Sequence, residues 1–434
     1  MNGMSRRGFM QAGAAMGAAL ALGTGAAQEA PKDKPVRVGM VGVGGRGTYL
    51  TKTLLEIPGV VLPAVCDINK EHAARAGKMI ADASGKAPEL YTNGERDWER
   101  LVAREDLDAV VTATPWEWHT PVMVAAMKAG KYGGTEVPAA LTIDECWELV
   151  RTSEQTGMPC MMLENVCYFE NALAILRMVR EGVFGELIHA EAGYQHDGRF
   201  VFINDAGELL WRGQHAIKTN GNVYPTHPIG PVAQWMNINR GDRFTRIVSM
   251  AAKSRGMKSY AAKKFGADHP LAKQDYAMGD LNTSLIETEN GCTVTLYLDL
   301  FTPRPYDLIF RLQGTKGIVM GAWDKIYLED VSPKDTWEPF KPYMDKYMHP
   351  LWKDHNAGAI TGGHGGGDYI TVFEFVKAVR NKTQPPQDVY DAATWSAIVP
   401  LSVESIAAHG APREFPDFTG GKWKTTPPLE IRGA

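Results

Sequence analysis

The sequence predicts an α/β fold that opens with a doubly wound parallel sheet, and three observations in its first third carry that expectation. Val36-Arg37-Val38-Gly39-Met40-Val41 is a short β-branched run, Gly42-Val43-Gly44-Gly45-Arg46-Gly47 follows as a glycine turn, and Thr48 to Ile57 has a helical pattern. A second apolar strand, Val60 to Val65, leads to Asp67, twenty residues after Gly47. Strand, glycine turn, helix, strand and acid in that order form the dinucleotide-binding fingerprint of a Rossmann domain.

Each part of the fingerprint has a physical task. Glycines at 42, 44, 45 and 47 let the backbone approach a pyrophosphate at a helix N-terminus, where free N–H groups point at the anion. The Asp67 carboxylate accepts hydrogen bonds from the adenine ribose and repels a 2′-phosphate, so NAD is expected over NADP. Arg46, inside the turn, is a cation suited to pairing with a phosphate.

Further along, Leu107 to Thr114 is a buried-type strand that runs into Pro115-Trp116-Glu117-Trp118-His119-Thr120-Pro121. Ligands lie at the C-terminal ends of strands in doubly wound sheets, so Trp116 and His119 are expected to border the nicotinamide half of the cofactor. A helix at Val122–Ala129, a strand and turn at Gly133-Gly134-Thr135-Glu136-Val137-Pro138, a helix at Ile143–Thr156 and a strand at Pro159–Leu163 close a domain over 36–163. Glu164-Asn165 stands at its tip, suited either to cofactor contact or to capping the next helix.

The chain starts with Ser5-Arg6-Arg7-Gly8-Phe9-Met10 and an uncharged Gly/Ala-rich stretch to Ala27. This reads as a twin-arginine signal peptide over 1–27, cut near Ala27, with a polar linker at 28–35. It is too short and too weakly apolar for a stable membrane span. Because the twin-arginine machinery carries folded proteins, the reading is a periplasmic protein exported with its cofactor already loaded. About 400 residues remain, enough for two domains. Forty-six Lys and Arg against fifty Asp and Glu leave no basic block for nucleic acid. Five cysteines without a CxxC pair give no expectation of a disulfide framework or a metal site.

Two motifs then carry a resemblance. Glu136-Val137-Pro138 and Asn222-Val223-Tyr224-Pro225-Thr226-His227 stand in a chain that resembles the family of glucose-fructose oxidoreductase, inositol dehydrogenase and rhizopine-catabolism proteins. That resemblance implies a second, α+β domain over 164–434 with an open, mostly antiparallel sheet. A C-terminal helix after the glycine run 362–367 is expected to pack back on the first domain. Dehydrogenases of this family usually have lysine where this chain has Val137, and an aspartate four residues before the histidine that this chain keeps as His227.

The altered segments resemble one branch, the NAD-dependent glycoside hydrolases of family 109. They are Trp116-Glu117-Trp118-His119, Thr135-Glu136-Val137-Pro138, Leu163 to Tyr168, Gly193-Tyr194-Gln195-His196-Asp197, Tyr224 to His227, and Ile238 to Arg243. The resemblance implies cofactor contacts at Gly45, Arg46, Asp67, Trp116 to His119, Glu136, Val137, Asn165, Tyr224 and His227. It implies contacts to a carbohydrate substrate, an N-acetylhexosaminide, at Tyr194, Arg212, Tyr224 and Tyr306. NAD would be tightly bound and regenerated in every cycle: the sugar is oxidised at C3, loses its C2 proton and leaving group, takes up water and is reduced again.

His227 is then the candidate acceptor of the C3 hydroxyl proton, or else it orients the cofactor. Tyr194 or Tyr224 would take the C2 proton if Arg212 lowered a phenol pKa from its usual value of about 10; otherwise the phenols only bind sugar hydroxyls. His196 is the reserve base. Two rival readings stay open: an exported sugar oxidoreductase with a captive nicotinamide, and a non-enzymatic sugar-binding protein. So does the oligomeric state, a homo-oligomer included.

Overall fold

The computed structural model describes residues 34–355 and 364–431. The expected leader at 1–27 and most of the linker at 28–35 lie outside the described residues. Strands β1 (Val36–Val41), β2 (Val60–Cys66), β3 (Glu89–Tyr91), β4 (Ala109–Thr112), β5 (Tyr132–Thr135) and β6 (Cys160–Met162) form one sheet in the order β3-β2-β1-β4-β5-β6. Every neighbouring pair is parallel. All residues of β4, β5 and β6 are buried, as expected for a sheet with helices on both faces. The order reverses between β1 and β4, which opens a crevice at their C-terminal ends.

Local signals set the helices. The Ile143–Thr156 helix starts on a reciprocal capping box between Thr142 and Glu145 and stops at Gly157 in the left-handed region. The first helix runs Gly45–Glu56, three residues earlier than its apolar pattern suggested. Its opening Gly-Arg-Gly turn carries no apolar periodicity, so Arg46 belongs to the helix rather than to a loop.

The second sheet has nine strands: β7 (Leu187–Gln195), β8 (Phe244–Ala251), β9 (Leu281–Thr288), β10 (Thr293–Asp299), β11 (Arg311–Gly314), β12 (Gly317–Met320), β13 (Lys325–Leu328), β14 (Glu338–Pro339) and β15 (Arg413–Glu414). Their order is β14-β13-β12-β11-β7-β10-β9-β8-β15. Only β7 with β10 is parallel; the remaining pairs are antiparallel. β9 shows the one-sided logic of such a sheet, with Asn282, Ser284, Ile286 and Thr288 buried and Leu281 and Leu285 turned outward.

Three features tie the halves together. The Gly367–Asn381 helix lies on the Gly45–Glu56 helix and β1, and the Val389–Ser396 helix lies on the Ile143–Thr156 helix and β6. Ser396 Oγ accepts the Ala139 N–H at 3.0 Å. A smaller core of Trp116, Phe202, Ile203, Val223, Met257, Met278 and Phe301 forms a cap on the same side as the crevice. Short helices at Lys341–Lys346 and Pro350–Asp354 fold against the body, where the Trp352 indole donates to the Tyr168 carbonyl at 2.7 Å. Among the described residues no helix is long and apolar enough to cross a membrane.

The glycine turn yields a direct test. A Cβ on Gly47 would lie 1.9 Å from the Gly42 carbonyl oxygen, whereas one on Gly45 would meet nothing within 4 Å. Gly47→Ala should therefore cost about 1–3 kcal/mol in urea unfolding, and Gly45→Ala should leave the midpoint in place. Equal stability of the two variants would refute this account of the turn.

Candidate functional site

The crevice is a cleft of about 510 Å³ running from the glycine turn to the cap. At one end it is lined by Gly44, Gly45, Asp67, Asn69, His72 and Trp98; at the other by Trp116, Glu136, Val137, Trp211 and Arg212. Its residues fit a dinucleotide. Gly42 has φ +80°, and a Cβ there would meet the Thr114 nitrogen at 2.8 Å. A Cβ on Gly44 would have only His72 near it, at 3.8 Å, so the backbone is bare toward the cleft. No side chain caps the helix that starts at Gly45, which leaves its first N–H groups for an anion. Asp67 accepts the Val43 and Asn69 N–H groups, both at 2.8 Å, and this holds one carboxylate edge in place beside the ribose end.

Arg46, on the cleft wall, turns its guanidinium to protein carboxylates. Its guanidinium is held by Glu136 Oε1 at 2.6 Å and by both carboxylate oxygens of Asp368 at 2.9 and 2.7 Å. Burial alone would lower its pKa; Glu136 and Asp368 outweigh burial and hold it above the ordinary value. Asp368 also accepts the Asn165 carboxamide N–H at 2.7 Å. Asn165, expected to contact the cofactor, is 1 % exposed and absent from the cleft wall, and its amide oxygen is sealed without a partner. It acts through Asp368 instead.

His119 also departs from expectation. It lines the cleft, but its Nδ1 faces the Pro138 carbonyl at 2.7 Å and its Nε2 the Thr114 carbonyl at 2.9 Å. Burial holds its pKa below the usual histidine value. With both ring nitrogens turned to the backbone, it braces the β5 loop against the end of β4 and offers no nitrogen to a ligand. Gly47 likewise packs behind the turn rather than facing the cleft.

Beside the cleft, the structure gathers Tyr194, Tyr224, His227, Tyr306 and His196 into one aromatic cluster. Ring centroids are 4.9 Å apart for Tyr194 and His227, 5.0 Å for Tyr224 and His227, 5.1 Å for the two tyrosines, and 6.0 Å for Tyr194 and Tyr306. Tyr194 comes from the end of β7, Tyr224 and His227 from the start of the Thr226–Trp235 helix, and Tyr306 from the loop after β10. Trp116 joins cluster to cleft: it lies 5.8 Å from the Tyr224 ring and 5.0 Å from Trp211, with the Arg212 guanidinium 5.7 Å from its own ring.

Two carboxylates were invisible or ambiguous in the sequence. Of the two tasks open to it Glu164 shows capping, its Oε1 accepting the Val166 N–H at 3.0 Å at the Asn165–Tyr168 turn; it lies off the cleft wall, and the same oxygen is 2.6 Å from His227 Nδ1. Asp368 sat inside a glycine run that looked like a lead-in to a helix. Trp211 was missed as a cleft residue because nothing in Trp211-Arg212-Gly213 marks it. The phenols also differ from the lowered pKa expected of them. Burial pushes Tyr194 up to about 12 and Tyr224 well above the ordinary value, with Arg212 pulling less strongly the other way.

Removing Asp368 leaves Arg46, whose side chain is 23 % exposed, paired with Glu136 alone, and losing hydrogen bonds to a charged group costs about 1.5–3 kcal/mol. Asp368→Ala should lose stability on that scale in urea unfolding and retain less nicotinamide through purification. Wild-type values for both would exclude Asp368 as an anchor.

Comparison with known proteins agrees with this geometry. Residues 36–164 match the family model "Oxidoreductase family, NAD-binding Rossmann fold", and residues 168–425 match "Glycosyl hydrolase 109, C-terminal domain". The alpha-N-acetylgalactosaminidase of Tannerella forsythia is 47 % identical over 410 residues, covering 90 % of this chain and 88 % of that one. A glycosyl hydrolase family 109 protein of Stenotrophomonas maltophilia is 44 % identical, covering 99 % and 98 %. Among solved structures, levoglucosan dehydrogenase in complex with NADH superposes with a TM-score of 0.68 at 20 % identity, covering 88 % of this chain and all of that one, which speaks to fold alone. The chain belongs to glycosyl hydrolase family 109 and is an NAD-dependent glycoside hydrolase.

Proposed function

We propose that the protein hydrolyses terminal N-acetylgalactosaminides, α-linked like those in the name of its Tannerella forsythia relative, without net oxidation. The observation that carries this reading is the Glu164–His227 pair, set among tyrosines at the nicotinamide end of the cleft, where the loop has Val137 instead of lysine. NAD would lie along Gly44, Gly45, Asp67, Trp116 and Val137, and when bound it supplies a reversible hydride acceptor for C3 of the sugar.

The chain's own groups then move the protons. With Nδ1 donating to Glu164, the His227 Nε2 lone pair is free to take the O3 proton, and the carboxylate stabilises the imidazolium that results. A carbonyl at C3 acidifies C2–H; loss of that proton expels the anomeric oxygen, which leaves protonated. Water adds at C1, C2 regains a proton, and O3 recovers its own from His227 as C3 is reduced.

At pH 7 a phenol with a pKa of about 12 is ionised in about one molecule in 10⁵, too few for a standing base. We therefore assign C2 to Tyr194 with His196 as its neighbour: the His196 ring lies 4.9 Å away and burial keeps it neutral, so its lone pair is open to a proton relayed from the phenol only as the C2 proton arrives. Solvent deuterium should enter C2 of the released sugar, and His196→Phe should reduce that entry. Undiminished entry would remove His196 from the step.

An aryl N-acetyl-α-galactosaminide should release its phenol without added NAD and without lasting change in nicotinamide absorbance. A lasting change would instead support a sugar oxidoreductase. His227→Ala should abolish turnover with NAD still bound, and Glu164→Gln should lower kcat about 10²–10⁴-fold with a smaller effect on KM. Near-normal kcat in either variant would end the assignment. We also propose export by the twin-arginine route on the strength of Ser5 to Met10, with the cofactor held tightly enough to travel. Replacing Arg6 and Arg7 with lysine should retain the protein in the cytoplasm, and unaltered export would contradict the proposal.

A further inference from the structure

A second cavity, of about 580 Å³, lies behind the Asn165–Tyr168 turn and shares no wall residue with the cofactor cleft. It is enclosed by the Glu170–Arg180 helix, the Gly367–Asn381 helix, the turn at His349 and the chain at 427–430. Three polar side chains on its wall are more than nine-tenths buried: His349 at 3 % exposure, Gln234 at 6 % and Glu374 at 8 %.

None of the three is satisfied by protein. His349 Nδ1 accepts the Leu351 N–H at 3.2 Å, so the neutral ring carries its proton on Nε2, which has no partner among the described residues. Glu374 Oε1 lies 3.4 Å from Lys377 Nζ, and its other oxygen bonds no described residue. The Gln234 carboxamide makes no bond to a described residue, although its main-chain carbonyl accepts from Arg180 at 3.0 Å. These atoms are not among the buried polar atoms sealed without a partner, so the cavity is the space they face.

Water would answer the polar groups but not the rest of the wall, where Leu173, Leu176, Leu351 and Pro428 form an apolar face. Charge narrows the ligand further. Glu374 is offset by Lys377, and burial, with Arg177 adding to it, holds His349 down to about 4, so the ring is neutral at physiological pH. Glu430, the other carboxylate on the wall, is exposed and already engaged, so neither an anion nor a cation finds an uncompensated buried partner here. We propose that the cavity is a second ligand site for an uncharged polyhydroxylated ring of monosaccharide size. Its C–H face lies on the leucines and Pro428, and its hydroxyls accept from His349 Nε2–H, donate to Glu374 and exchange bonds with Gln234. The set of donors, acceptors and apolar wall is the usual make-up of a small-molecule pocket.

The test uses the full-length protein with its cofactor bound and galactose as the probe. Crystals grown without polyols and soaked in galactose should show the ring against His349, Gln234 and Glu374. In calorimetry the wild type should show a galactose-binding event that Gln234→Leu weakens at least tenfold, with kcat and KM for the aryl glycoside unchanged. The near-isosteric Glu374→Gln should also weaken it, which guards against a folding defect in the first variant. Ordered water alone in the cavity, identical isotherms in wild type and both variants, or a ring bound at crystal concentration only would each overturn the proposal. The binding readout does not depend on hydrolysis, so it stands or falls apart from the proposed reaction.

Discussion

The buried charge of Arg46 is the constraint around which the rest of the molecule is arranged. A guanidinium taken out of water costs several kcal/mol unless its donors are met, and here the donors are met from two places far apart in sequence. Glu136 comes from the loop after β5, and Asp368 from the first turn of a helix 322 residues downstream of Arg46. Satisfying one arginine therefore fixes the glycine turn, the β5 loop and the C-terminal helix to within hydrogen-bond distance of one another. Asp368 extends the constraint to the tip of β6 through Asn165, next to the carboxylate that holds His227. The glycine turn and His227 are thus joined through one hydrogen-bonded assembly.

The legible parts of the sequence were those governed by local chemistry. Thr142, Glu145 and Gly157 announce the start and stop of their helix, and the glycines and Asp67 announce a nucleotide turn, because each acts on neighbours a few residues away. The aromatic cluster was reached through family resemblance, since nothing in the spacing of Tyr194, Tyr224 and Tyr306 brings their rings together. Side-chain partners were the hardest to read. His119 and Asn165 stand where strand ends meet a ligand, yet both spend their hydrogen-bonding capacity on the protein. Arg46 looked like a phosphate ligand because its two carboxylates lie 90 and 322 positions away.

The electrostatics of the reaction centre also depart from a simple dehydrogenase. Val137, where the resemblance to dehydrogenases leads one to expect lysine, is 2 % exposed and brings no charge to the cleft. The half-buried tyrosines keep their protons, and His227 has the Glu164 carboxylate at its back. In the reaction we propose, proton movement would depend on hand-over between neutral neighbours more than on a permanently ionised base. That suits a reaction whose successive steps must give back each proton they take.

The distance along the chain between Arg46 and Asp368 has a consequence for how the molecule is made. At about 5–20 residues per second, roughly 16–64 s of translation separate the two ends of this ion pair. Through that interval the nascent nucleotide turn has an arginine with at most half of its counter-charge, and the helix that seats it does not yet exist. Seating of the turn against that helix therefore belongs to chains that are nearly complete.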